Sequence, residues 1–412
     1  MEKVPWPALG WEDHPWTRLP DSGISRTQRR RHAGPYQAAV VPPIAALAVD
    51  LDSSLVAEAE EAAVEVARFD ASVSRAFSDV HEPESAGDVT ELGPMSTILL
   101  RSESASSSQI ENLTAGARQL ALAEIGATAG PNARLVARNV ATMRAALALA
   151  DHLDLDSVLA LHRTLLADSD PGHAGRWREE QVWVGGTSYG PHAAEFVPPH
   201  HSRVPEAMAD LLAFVARDDL PVLVQAALAH AQFETIHPFT DGNGRTGRAL
   251  VHAMLRGKGV SQRVTVPISA GLLTDTSRYF SALGAYRAGD PGPIVSEMAG
   301  ATLRAIANGN LLVAELLALR DDWTARVVAR RHAAVHRMPA LLVRHPAVDN
   351  PLVARELGIS DVAAQGAIDR LVEAGILVQV GTGARNRVWQ CPEVIDALDA
   401  FAARAGRRAT RG

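Results

Sequence analysis

Apolar positions recur at helical spacing along most of this chain. Leu55, Ala59, Ala62, Val66 and Phe69 step by three and four residues, which predicts an amphipathic helix. A second helical block is predicted from about Ser106 to Leu166. Its last member carries Leu155, Val158, Leu159, Leu161, His162, Leu165 and Leu166, with Asp154 or Asp156 as cap. Further helices are predicted over 203–217, 221–236, 245–256, 275–287 and 291–330. Two stretches break the pattern. Residues 82–95 are polar and rich in Gly and Pro, which predicts a loop. Residues 175–199 turn to the β-formers Val182, Trp183 and Val184, pass Gly185-Gly186, resume at Phe196 and Val197, and stop at Pro198-Pro199. That order predicts a β-hairpin within a helical protein. An isolated hairpin is marginally stable unless it packs on something, so this one reads as a lid or substrate clamp, or else as a surface ornament.

The ends differ from the middle. Residues 1–35 are rich in Pro, Trp and Arg, and Trp6, Trp11 and Trp16 recur every five residues, which fits neither helix nor strand. An extended arm packing its tryptophans on a neighbouring surface is expected, with Arg26, Arg29, Arg30 and Arg31 as a solvated basic run. Residues 335–400 read as helix, helix, turn, helix and two strands, with Gly358 in the turn, Ser360 as N-cap and Gly375 just past the last helix. The strands Ile376–Val380 and Arg387–Gln390 flank the loop 381–386. This order resembles a winged helix-turn-helix. The chain then divides into an arm (1–35), a helical region (36–170), a central region (171–330), the winged unit (335–400) and a tail (401–412).

Composition adds exclusions. The 412 residues are 47% hydrophobic and 21% charged, ordinary values for a globular protein. The net charge of −7 is not the global basic field of a nucleic-acid coat protein. The single cysteine, Cys391, excludes an intramolecular disulfide and cysteine-built zinc sites. No run of about 18 consecutive apolar residues is present and the N-terminus has no apolar leader core, so a cytoplasmic protein without membrane contact is expected.

The chemistry concentrates in Thr235-Ile-His-Pro-Phe-Thr-Asp-Gly-Asn-Gly-Arg-Thr-Gly-Arg248. Pro238 disfavours the α conformation at His237, so the preceding helix should end near Ile236. His237 then stands at the mouth of a loop with a proton affinity suited to transfer near neutrality. Asp241 is a hard oxygen ligand suited to Mg²⁺. Gly242-Asn243-Gly244 lets backbone approach a ligand. A helix from about Gly244 aims free N–H groups and its positive dipole end at that loop. Arg245 and Arg248, three apart, share one face of its first turn. Together these describe a site for a metal-bound polyphosphate beside a general base. The Lys-Ser/Thr of a P-loop is missing, and no G-x-G-x-x-G follows a strand.

These residues match H-x-F-x-[DE]-G-N-G-R-x-x-R at every fixed position, and the segment resembles the signature of the Fic family of nucleotidyltransferases. The resemblance runs from about Pro35 to Asn310 and implies a mainly α fold: a Fic-type helical core with a β-hairpin flap, followed by the small winged domain. It implies transfer of AMP from ATP to a Ser, Thr or Tyr hydroxyl of a protein, with release of pyrophosphate. His237 would be the base, Asp241 would hold Mg²⁺, and Gly242, Asn243 and Gly244 would form an anion hole. Arg245 and Arg248 would hold the β- and γ-phosphates, with Thr246 and Gly247 between them and Phe239 packing the loop. Residues 182–199 resemble the flap that holds the target by backbone pairing, through Val184, Gly185, Gly186 and Thr187. Ser107-Ser-Gln-Ile-Glu111-Asn112 resembles the family's inhibitory [ST]-x-x-x-E-[GN] helix, placed at about 104–114. Glu111 would pair with Arg248 and displace the γ-phosphate; in some relatives the same glutamate supports removal of AMP. Tyr279 and Tyr286 match family positions loosely, either stacking on adenine or packing in the core. His162 and His230 read as structural, and His192, His200 and His201 as solvent-exposed.

From Leu341 to Gly412 nine arginines face eight acidic residues. The would-be recognition helix carries Asp361, Asp369 and Glu373 against Arg370, a poor match for phosphates. Arg385 and Arg387 are the best DNA candidates, but dimerisation or presentation of target proteins is the favoured role. The leading expectation is an autoinhibited, Mg²⁺- and ATP-dependent protein adenylyltransferase acting on a partner protein or on itself. The alternatives are a de-AMPylase or other nucleotidyl or phosphoryl transferase, and a nucleotide-sensing DNA-binding regulator.

Overall fold

The computed structural model describes residues 5–16, 25–76, 93–327, 329–330, 333–381, 383 and 386–406. The expected loop 82–95 lies outside these residues up to position 92, as do Arg385 of the expected wing and 407–412 of the tail. Helices dominate, and strands are confined to two small sheets. The chain clusters into two compact units, each built from separated stretches. One comprises Met1–Glu61, Ala145–Lys258 and Ser277–Ala299; the other comprises Ala62–Arg144, Gly259–Thr276 and Gly300–Gly412.

In the first unit, the helix Leu155–Leu166 starts at Asp154, whose carboxylate accepts from Ser157 N–H while the Ser157 hydroxyl accepts from Asp154 N–H. The helix Val222–Ile236 is buried on every side from Leu223 onward, which suits its run of alanines and small polar residues. Gln225 lies buried inside this helix, where its Nε2 donates to the terminal carbonyls of Phe214, Val215 and Arg217. The helix ends at Ile236, where the His-Pro pair predicts, and Asn243–Gly257 forms the helix beyond the loop.

The arm holds a strand that its aperiodic sequence does not announce. Gly10–His14 pairs antiparallel with Tyr36–Val40, Gly10 opposite Val40 and His14 opposite Tyr36. Trp6 is buried near Tyr286, and Trp16 meets Tyr36 and Trp183 edge-on. Trp11 instead faces solvent, 53% exposed, so only part of the expected tryptophan packing forms. The backbone N–H of Ala39 donates to Val197, which ties this sheet to the end of the flap.

The flap is less regular than a hairpin. Val184 and Phe196 form a lone bridge, and a short 3₁₀ turn, Pro191–Ala193, stands between them. Gly185 and Gly186 adopt φ of 73° and 75°, and a Cβ on Gly186 would lie 2.5 Å from the Ala193 carbonyl oxygen. Left-handed backbone and a proline without an N–H prevent a ladder. The histidines beside the flap also differ from expectation. His192, His200 and His201 are half-buried, and His200 stacks on His14 with ring centroids 4.3 Å apart.

In the second unit, the serine-rich helix Pro94–Ile110 is buried almost throughout. Ser104 and Ser108 donate to the carbonyls four residues back, at 2.8 and 2.9 Å, and so bury their hydroxyls satisfied. Asn139 Nδ2 donates to Ser104 O and Ser108 Oγ. The short helix Ile268–Leu273 offers Ser269 N–H and Oγ to the buried Glu103 carboxylate, at 2.8 and 2.5 Å. At the C-terminal end, Met338–Arg344, Asn350–Leu357 and Asp361–Glu373 are helices, and Ser360 caps the last through Ala363 N–H. The two predicted strands, Val378–Val380 and Val388–Gln390, are joined by an unforeseen third, Ala347–Asp349, which pairs with the second.

By composition, Gly292–Arg326 is the one described helix long and apolar enough to cross a membrane. Glu297, Arg304 and Glu315 interrupt it, and Glu297 is fully buried in an ion pair with Arg278 at 2.7 Å.

Candidate active site

His237 caps the helix Val222–Ile236 in left-handed conformation, φ 51° and ψ 62°, with its N–H on Phe233 O. A non-glycine residue there carries strain of order 1–3 kcal/mol, which surrounding bonds must hold. The conformation turns the chain at once and sets the imidazole at the loop mouth. Nδ1 is buried, 4.0 Å from the Glu234 carboxylate, and the side chain is 20% exposed, which leaves Nε2 as the nitrogen facing outward. Burial, reinforced by the cations Arg178 and Arg287, pushes its pKa down to about 3. The near-neutral value expected from sequence is corrected accordingly: the imidazole is neutral at physiological pH, ready to accept a proton.

The loop is braced from both sides. Asn243 Oδ1 accepts from Phe239 N–H and its Nδ2 donates to Phe239 O, both at 2.9 Å. The side chain of Asn243 is therefore a backbone clamp, and only its N–H is left for an anion. Phe239 stacks on His162 at 3.6 Å and near Trp177 at 5.1 Å. His162 accepts from Gly175 N–H through Nδ1, while its Nε2 lies 3.0 Å from Asp241 O. Gly242 adopts φ 76°, and a Cβ there would meet Leu165 Cδ2 at 2.8 Å, so any side chain at this position is strained. Asn243→Ala removes both bonds and leaves a buried N–H and C=O, with an expected loss of about 2 kcal/mol in a urea-unfolding measurement. An unchanged midpoint would show that the clamp contributes nothing.

Gly242 is the N-cap of Asn243–Gly257, and the first intrahelical bond runs from Thr246 N–H to Gly242 O. The N–H groups of Asn243, Gly244 and Arg245 precede it and point out of the helix end. Arg245 and Arg248 are both buried in the first turn, and Arg245 Nη2 lies 3.4 Å from each Asp241 oxygen. Asp241 is the exposed member, 65% open, with Oδ1 accepting from Gly242 N–H at 2.6 Å. The Thr246 hydroxyl is buried with no partner among the described residues. A Cβ on Gly247 would touch the Phe233 ring at 2.9 Å, so this position lets the two flanking helices close.

The other expected residues fall elsewhere. Tyr279 is 1% exposed, and its hydroxyl lies 2.8 Å from His230 Nε2, so its ring presents no free face for adenine. Tyr286 is equally buried and donates to Gln232. In the flap, Val184 is half-buried while Gly185, Gly186 and Thr187 are exposed, with the Thr187 hydroxyl 3.3 Å from His32 Nε2. Ser107, Glu111 and Asn112 belong to the second unit. Ser107 is buried, the expected helix over 104–114 stops at Ile110, Glu111 is its C-cap, and Asn112 turns left-handed at φ 62°. Arg178, Glu234 and Arg287 surround His237 without any signal in hydrophobic periodicity. Arg287 also lies over the Phe196 ring at 3.7 Å.

Three histidines in this unit are held neutral by burial: His162 at about 4, His230 at about 3 and His237 at about 3. The unfolded chain binds protons on all three near pH 6.5 and the folded chain does not, so stability is full above that pH and falls below it. Each contributes a slope on the order of 1 kcal/mol per pH unit. Unfolding midpoints are expected to hold from pH 7.5 to about 6.5 and to drop from there to pH 5; a flat profile contradicts the neutral, buried state.

Over residues 152–255 the chain matches the model of the Fic/DOC family. It is 31% identical over 152 residues to Protein adenylyltransferase fic-1 of Caenorhabditis elegans, covering 36% of this chain and 27% of that protein. It is 31% identical over 159 residues to Protein adenylyltransferase Fic of Nematostella vectensis, covering 38% and 34%. The chain thus spans about a third or less of the length of these curated relatives. A crystal structure of a Fic family protein from Desulfovibrio desulfuricans G20 superposes with a TM-score of 0.50 at 20% identity, over 85% of this chain and 98% of that one, which shows a shared helical fold. Residues 152–255, with His237 and the loop to Arg248 inside them, are the Fic-like part of this chain.

Proposed function

We infer that this chain transfers AMP from ATP to a Ser, Thr or Tyr hydroxyl of a protein, itself included, and that Glu111 restrains it. One observation carries the reading. A neutral, outward-facing imidazole stands beside a helix N-terminus whose first turn holds two buried arginines. Phosphate fits the N–H groups and the cations, and the imidazole supplies the base. The names of the matched relatives support adenylyl transfer over other phosphate chemistry.

The target oxygen attacks the α-phosphorus and forms a new O–P bond. The bond from that phosphorus to pyrophosphate breaks, and the hydroxyl proton passes to His237 Nε2. Arg245 and Arg248 hold the departing phosphates. Among the described residues no group of three His, Cys, Asp or Glu side chains could hold a metal. A single exposed carboxylate, Asp241, would hold an Mg²⁺ ion carried in on the phosphates, which would neutralise phosphate charge.

The match at Ser107, Glu111 and Asn112 supports restraint of Arg248 by Glu111. The element order of 335–400, with three short strands, supports a winged helix-turn-helix. Asp361 and Asp369 on its helix Asp361–Glu373, with Val362 between them 83% exposed, favour a protein contact over DNA there. The test is intact-mass spectrometry of the full-length Glu111→Gly protein after incubation with ATP and Mg²⁺. Added AMP mass is expected, above the level of the parent. No adduct with ATP, UTP or CTP overturns the reading.

A further inference from the structure

Arg178 is a buried cation that no carboxylate matches among the described residues. It is 3% exposed, and its fork meets only backbone carbonyls. Nε donates to His237 O at 2.8 Å, Nη2 to Pro199 O at 2.5 Å and, longer, to Ile236 O at 3.4 Å, and Nη1 to Glu180 O at 3.1 Å. Its own N–H donates to Pro238 O at 3.0 Å. Burying a guanidinium against neutral partners is costly, and burial lowers its pKa to about 10. A packing role alone would be served by an apolar side chain.

The identity of the carbonyls is informative. Glu180 and Pro199 stand at the two feet of the flap 182–199. Ile236 and His237 carry the peptide whose left-handed turn aims the imidazole. A single rigid fork thus spans both, and only arginine has the planar geometry to do so. The groups facing His237 are Arg178, Arg287 and Glu234, so the cation also bears on the charge state of the base.

The geometry points to Arg178 as a positioning residue that locks the flap and the imidazole of His237 into one register, so that a chain held on the flap is presented to the base. This rests on the adenylyl-transfer reading for its chemistry, but one of its two measurements does not. Both use the full-length Glu111→Gly protein carrying Arg178→Lys or Arg178→Met. The first is hydrogen exchange. Amides over 180–199 and 236–240 are expected to exchange about 10-fold faster in both variants, while 222–232 stays protected. The second is AMP incorporation against ATP concentration. Maximal rate is expected to fall about 100-fold with Met through misplacement of the base. With Lys, which keeps the charge but loses the fork, about 10-fold is expected.

Half-saturating ATP should stay within about twofold, because Arg245 and Arg248 are untouched. A folded Met variant with unchanged exchange, or with a maximal rate close to the parent's, overturns the proposal. If Met fails to fold, Lys decides by the same criteria. If the parent incorporates no AMP, adenylyl transfer fails and exchange alone decides: local loss of protection supports the lock, and none refutes it.

Discussion

His237→Ala in the Glu111→Gly background is expected to cut AMP incorporation by about 10²–10⁴-fold, the usual contribution of a general base. The imidazole stands at the loop mouth and is held neutral by burial, with Nδ1 buried and Nε2 outward. Because its pKa lies at about 3, its protonation leaves no acid limb in the rate between pH 5 and 8. A limb that does appear in that range belongs to another group. ATP binding should survive the substitution, since the proposed phosphate partners Arg245, Arg248 and the helix N-terminus are unchanged. Equilibrium ATP affinity and incorporation rate, measured on one preparation, therefore separate a lost base from a lost site. A variant that keeps a rate within about tenfold of its parent removes His237 from the chemistry.

Gly271→Ala is expected to be the most damaging single methyl in the second unit. A Cβ at that position would lie 1.9 Å from the Ala301 carbonyl oxygen and 2.6 Å from its carbon. These are backbone atoms of the long helix and cannot swing aside. The Gly271 carbonyl is itself fixed, accepting from Arg304 Nε and Nη2 at 3.2 Å each and from the Thr274 hydroxyl at 2.7 Å. The short helix must therefore move as a body, which pulls Ser269 off the buried Glu103. Overpacking and a broken buried hydrogen-bond pair together predict a loss of about 3 kcal/mol or more. For a unit of this size that is roughly 6–12 °C in thermal midpoint. Calorimetry on the full chain checks it, and a midpoint within about 2 °C of the parent would falsify the close approach. The same helix, Pro94–Ile110, ends at Glu111, so a rise in basal AMP incorporation should accompany the loss.

Local rules were legible where the responsible contact is close in sequence. Pro238 acts on its immediate neighbour, and the helix before it ends at Ile236. Asp154 and Ser360 reach N–H groups three residues on and cap their helices as their residue types predict. The candidate loop residues could be picked out for the same reason, since His237, Asp241, Gly242, Arg245 and Arg248 lie within one turn and one loop. The flap was half legible. Its β-formers and glycines were visible, but whether they form a ladder depends on Pro191 and on how closely Ala193 approaches Gly186.

Contacts between distant segments were invisible. Arg178 lies 59 residues before His237 and reads in sequence as one more arginine in a charged run. The strand Ala347–Asp349 has three residues, too few for a period, and exists because Val388–Gln390 offers it an edge. The proton affinity of His237 was set wrongly from its residue type, because desolvation and the cations Arg178 and Arg287 come from packing.

The amino-acid sequence by itself determined a mainly helical chain and placed its candidate chemistry in one loop. Side-chain type and spacing dictate helix faces, caps and the glycine-rich loop between two helices without reference to anything far away. The tertiary structure alone decided that His237 is neutral, that Asn243 clamps the loop, that Tyr279 is core, and that one guanidinium joins the flap to His237. Burial and hydrogen bonding between remote segments set those properties, and neither is a function of local sequence.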